Sequence, residues 1–93
     1  MNILNAKKYF TFALKSGNVV FGTDNIIKAK KIELVIVSNS LSENAKSKLE
    51  NFAQKKHCLI ETLDDEQLFE LVQNQAVKAF AILDFNIAKA MQN

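Results

Sequence analysis

Two glycines, Gly17 and Gly22, are the only ones in the chain, and both fall in "SGNVVFGTDN" around the apolar triplet Val19-Val20-Phe21. Their G-x-x-x-x-G spacing is that of a phosphate-binding loop. Such a loop continues with Lys and then Ser or Thr, whereas this chain continues with Thr23 and Asp24. Without that lysine little neutralises a β- or γ-phosphate, and Asn-Val-Val-Phe reads as strand instead of cradle. His57 beside Cys58 is a second candidate for chemistry. Neighbours on a strand point to opposite faces, so the pair diverges and does not form a nucleophile with its base. His57 reads as the polar end of the preceding helix and Cys58 as a small core residue. One His and one Cys cannot complete a structural zinc site. Glu61, Asp64, Asp65, Glu66 and Glu70 lack the alternating oxygen ligands and central glycine of a calcium loop, and read as a solvated, helix-capping face. No catalytic set, metal site or cofactor site emerges.

What remains is Gly22 followed by Thr23-Asp24-Asn25 and, one turn on, Lys28. If a helix starts here, its first N–H groups form an anion site, and Gly22 removes the side chain that would hold a sugar-phosphate backbone away. Asp24 and Lys28 lie one turn apart on the same face. Asn25 both donates to and accepts from base edges, and Lys28 suits a phosphate. The same residues also fit ordinary turn chemistry: Thr23 as an N-cap contributes ~1 kcal/mol by itself, and Lys28 can be a solvated lysine.

Charge bears on the choice. Residues 1–31 hold six lysines against Asp24, a balance of +5, and residues 32–93 hold six lysines against nine acids, or −3. Such asymmetry in one small domain points to a surface that faces polyanions. The chain has no arginine, hence no planar fork for bidentate recognition.

The elements that must position these residues alternate. Apolar positions Ala6, Phe10, Ala13 and Leu14 predict a helix over 3–16 ended by Gly17. Val19–Phe21 predicts a short strand, and Thr23 caps a short helix with Ile26, Ile27 and Ala29. "KIELVIVS" (31–38) has the β-branched content of a buried central strand. Ser40-x-x-Glu43 has capping-box spacing and opens a helix to about residue 56 with Ala45, Leu49, Phe52 and Ala53 on one face. "CLIET" is the next strand. Asp64, Asp65 and Glu66 load the first turn of a helix through Leu68, Phe69, Leu71 and Val72. "AVKAFAIL" is the last strand, and residues 84–91 form a closing helix with Ile87, Ala88 and Met91. This order predicts one α/β domain over 1–93, a three-layer α/β/α sandwich around a mixed sheet of about four strands. No run approaches the ~18 apolar residues of a membrane span, and "MNILNAKKYF" has no signal core. The lone Cys58 cannot form an internal disulfide and fits a reducing cytoplasm. A monomer is the expected state.

The stretch "ALKSGNVVFGTDNIIKAKKIELVIVSNSLSENAKSKLE", with "AVKAFAILDFNIAKAM" later, resembles the kink-turn RNA-binding ribosomal-protein superfamily of L-seven-Ae and L-thirty-e type, nearest to its bacterial YlxQ-like branch. The resemblance implies the three-layer fold and binding to RNA bent sharply at a kink-turn, ribosomal RNA included. In that family the second helix begins G-x-N-E-x-x-K, its N-terminus enters a widened groove beside tandem G·A pairs, and a hydrophobic loop before the last strand covers flipped-out bases. Carried over, Gly22, Thr23, Asp24, Asn25 and Lys28 take the helix positions, and Ala76, Val77 and Lys78 take the loop. Lys15, Lys28, Lys30 and Lys31 would supply the salt-sensitive phosphate contacts. The chain departs from the pattern at Asp24, where the family prefers Asn or a basic residue. "KAKKIELV" is shorter than the usual connection, and "LFELVQNQAVKAF" lacks the family's loop glycines. These departures keep a second expectation open, a protein-interaction module on the same fold.

Overall fold

The computed structural model describes all 93 residues, Met1–Asn93. The elements follow in the order α1 (Ile3–Lys15), β1 (Val19–Phe21), α2 (Thr23–Lys28), β2 (Leu34–Ser38), α3 (Glu43–Lys55), β3 (Leu59–Leu63), α4 (Asp65–Val72), β4 (Ala79–Ile82) and α5 (Phe85–Gln92). The sheet order is β1-β4-β2-β3, with β2 and β3 parallel and β4 antiparallel to both of its neighbours. The crossovers β1–α2–β2 and β2–α3–β3 step the same way across the sheet, which places α2 and α3 on one face.

Strand alternation divides the core. Leu34 and Ile36 of β2 and Phe80 and Ile82 of β4 point to the layer of α1, α4 and α5, where Ala6, Phe10, Leu68, Leu71, Ile87 and Met91 meet them. Val35, Val37, Ala79 and Ala81 point the other way, onto Ile26 of α2 and Leu49 and Ala53 of α3. The expected three-layer α/β/α sandwich is therefore the observed one. The two sides differ in bulk. Phe80 stacks edge-on against Phe10 with centroids 4.9 Å apart, and Phe21 joins at 6.2 Å from Phe10. Opposite them, the small Ala79 and Ala81 let the one-and-a-half-turn α2 lie close to β4.

Several local expectations need correction. Thr23 is the first residue of α2 and not its cap; the capping position is Gly22, and no side chain caps the helix. The Ser40 capping box does not form, because the Ser40 hydroxyl bonds Asp65 instead, and Ser42 caps α3 by accepting from the Ala45 N–H at 3.2 Å. β2 begins at Leu34 and β4 at Ala79, each three residues later than the apolar runs imply. Leu14 falls off the buried stripe of α1 and is 45% exposed, so it serves the surface, not the core. Ile27 is likewise exposed, leaving Ile26 as the one α2 side chain in the core. β3 is an edge strand whose side chains are mostly half-buried or exposed. Cys58 is half-buried and precedes that strand; burial, and then the Glu33 charge, push its thiol pKa up, which favours the protonated form. His57 sits in the left-handed region at φ 56, just past the end of α3.

Candidate functional site

The register sets two ends. Phe21, Val37 and Ala79 lie toward one end of the sheet, with Ser38 beside Leu63; Val19, Leu34, Leu59 and Ile82 lie at the other. The Gly22 N–H donates to the Ala79 carbonyl at 3.0 Å, and the Ser38 N–H donates to the Lys78 carbonyl at 2.8 Å. These bonds bring the tip of α2, the end of β2 and the loop before β4 together, although some fifty residues separate Gly22 from Val77 along the chain.

The result is a groove of about 260 Å³ lined by Phe21, Gly22, Thr23, Leu41, Ala76, Val77, Lys78 and Ala79. Five of the expected residues thus share one surface. Gly22 adopts φ 89 and ψ 147, a conformation open only to glycine, and a Cβ there would meet no protein atom. The residue is a glycine because the backbone demands it, and the space above it is free. Asp24 and Asn25 follow on the exposed side of the tip. Asn25 Nδ2 donates to the Phe21 carbonyl at 2.9 Å, which fixes the amide and leaves Oδ1 and the second N–H for another partner.

The loop holds its shape without glycine. Gln73 takes the left-handed position at the end of α4, with φ 61, and its Nε2 donates to the Glu70 carbonyl at 2.9 Å. Asn74 Oδ1 then accepts from the Ala76 N–H at 2.9 Å, a side-chain mimic of a turn. Val77 is left at the meeting point of three depressions. Besides the α2 groove, one of about 490 Å³ contains Asp65, Glu66, Phe69 and Asn74, and one of about 470 Å³ contains Phe10, Leu14, Phe21, Val72 and Asn74. The last explains what the displaced Leu14 does.

Below the loop lies a cluster that sequence reasoning missed. Asp65 Oδ1 accepts from the Ser38 hydroxyl, from the Ser40 hydroxyl at 2.9 Å and from Lys78 Nζ at 3.1 Å. These donors, Ser38 first, hold the Asp65 carboxyl at about 2. The signal was the serine closing the apolar run Leu-Val-Ile-Val-Ser: a fully buried hydroxyl has to find a partner.

The remaining expected residues do not join this surface. Lys28 is exposed at the far end of α2, whose six residues span ~9 Å. Lys15 ends α1 and is not among the residues lining the groove, and Lys30 and Lys31 precede β2, toward the opposite end of the sheet from Gly22. Around the groove itself acids prevail. Asp24, Glu43, Asp64, Asp65 and Glu66 stand in or just before the first turns of α2, α3 and α4, where helix dipoles favour them. The lysines nearby are engaged, Lys78 with Asp65 and Lys46 with Glu43 at 3.8 Å and with the Asn39 carbonyl at 2.8 Å. The positive excess of residues 1–31 is therefore not concentrated at the α2 tip.

No helix is long and apolar enough to cross a membrane. No protein-family model matches the chain, and no curated protein shows significant similarity to it. Among solved structures, a protein with unknown function from Bacillus halodurans superposes with a TM-score of 0.80 at 14% identity, covering 94% of this chain and 92% of that one. At that identity the likeness establishes the shared α/β fold and nothing finer.

Proposed function

We propose that this protein is a non-enzymatic, monomeric RNA-binding domain of the kink-turn ribosomal-protein type, acting on ribosomal or other structured RNA. The observation that carries the reading is the groove in which the uncapped tip of α2 faces the Ala76–Lys78 loop, with unobstructed space over Gly22. A bent strand supplies what such a groove accepts: a backbone that approaches Gly22 closely, a base edge for Asn25, and an unstacked base to lie on Val77. RNA recognition uses splayed bases of this kind. Specificity here rests on base and shape contacts more than on charge, since Lys78 is paired and Asp24 is an acid that can accept from a guanine or cytosine amino group.

Asp24 and the Asp65–Lys78 pair favour a second reading, a protein-interaction surface receiving a partner with basic side chains. A gel-shift titration at two salt concentrations, with kink-turn RNA and an unbent duplex of equal length, separates the two. The RNA reading expects tighter binding of the kinked RNA at both. Equal affinity for the two RNAs removes kink recognition, and absence of salt-sensitive binding leaves the protein partner.

A further inference from the structure

At the end of the sheet opposite the groove, two chain segments bring five lysines together. Lys28 ends α2 and Lys30 and Lys31 follow it; Lys55 ends α3 and Lys56 caps it. A direct bond joins the segments, Lys56 Nζ donating to the Lys30 carbonyl at 2.9 Å. Lys28, Lys30, Lys31 and Lys55 are exposed, and the half-buried Glu33 pairs with Lys31 at 4.0 Å. Helix dipoles account for Lys28 and Lys55 in the last turns. Their influence fades within that turn, so Lys30 and Lys31 have no such explanation. Both helices on this face end here, and α2 spans only ~9 Å between the groove and the lysines.

We infer that this lysine end is a second contact surface, which binds the phosphodiester backbone of the RNA strand leaving the groove along α2. The inference rests on the RNA reading. It divides the work: the groove reads the bend, and Lys28, Lys30, Lys31 and Lys55 hold the strand by charge. Lys56 is a positioning residue, tying α3 to the Lys30 segment.

The test is a salt series of binding titrations with two probes, kink-turn RNA and single-stranded oligouridylate. The proteins are the wild type, Lys30→Ala/Lys31→Ala/Lys55→Ala, and the charge-matched Lys7→Ala/Lys8→Ala/Lys89→Ala on the other helical layer. Thermal melts confirm that each is folded. Each phosphate contact contributes ~0.7–0.9 to the slope of log affinity against log salt, so the first variant loses ~2–3 units of slope on both probes while the second keeps the wild-type slope. Equal slopes in all three proteins, or equal losses in the two variants, overturn the inference, and do so even if kinked RNA is still preferred. A slope lost on oligouridylate without any preference for kinked RNA supports the lysine end and removes the groove reading instead. A wild type that binds polyglutamate but neither RNA overturns both.

Discussion

The two ends of the sheet are built from the same elements and carry opposite chemistry. Where α2, α3 and α4 begin, acids prevail, an Asp–Ser–Ser–Lys cluster is fully bonded, and a groove opens over a bare glycine. Where α2 and α3 end, lysines from separate segments stand exposed, Lys31 paired with Glu33. Part of the difference is generic, since helices sharing a direction collect acids at their starts and cations at their ends. What exceeds that rule is informative: Asp65 bonds the end of β2 and the loops after β2 and before β4, and Lys30 and Lys31 lie beyond any helix. The first device fixes a shape and the second offers a charge. The groove and the lysines are thus separated in space by the length of one short helix.

The largest expected effect comes from making the groove repel what it should receive. Val77→Asp should remove the preference for kinked over straight RNA, a loss on the order of 5–150-fold if one stacked base contributes ~1–3 kcal/mol. Ala76→Asp, at an exposed position, should act in the same direction without disturbing the core. Retained preference in both would place recognition elsewhere. Next is the cluster that shapes this end. Ser38→Ala deletes a buried donor to Asp65 and should cost ~1 kcal/mol, read as a melting temperature lower by about 4–8 °C.

A smaller effect concerns pH. The folded Asp65 carboxyl sits at about 2 against an ordinary 3.8. Its contribution to stability is therefore complete above 3.8 and is lost as pH falls through that window toward 2. Asp65→Asn should flatten the fall in melting temperature between those values; an unchanged pH profile would show that the carboxylate is not held as described. The smallest expected change is for Lys28→Ala, at the far end of α2 from the groove. It should lower the salt slope by ~0.7–0.9 and leave stability within ~0.5 kcal/mol. A change in the kinked-versus-straight ratio instead would join Lys28 to the groove and blur the division between the ends.

The layered architecture was legible because the apolar runs and the helical stripes carry their own periods: Val35 and Val37 against Leu34 and Ile36 already imply a sheet covered on both faces. So was the meeting of Gly22 with Val77, once a family resemblance had placed both. Local caps were less legible. Ser40 and Ser42 are equally good caps by type, and only the position of Asp65 in space decides that Ser40 is occupied elsewhere. The missing loop glycines were no obstacle, because Gln73 adopts the left-handed conformation itself and Asn74 supplies the turn. Charge misled most. Lysines summed along residues 1–31 look like one patch, yet the chain carries Lys30 and Lys31 away from the tip they were expected to serve.

Backbone amide shifts of the isotope-labelled protein during titration with kink-turn RNA test the account most directly. Residues 22–25 and 76–78 should move together and saturate at one affinity, with the 28–31 and 55–56 segments responding as the strand extends. Perturbations confined to the lysine segments, or scattered along the β3 edge while Gly22 and Val77 stay still, would contradict it.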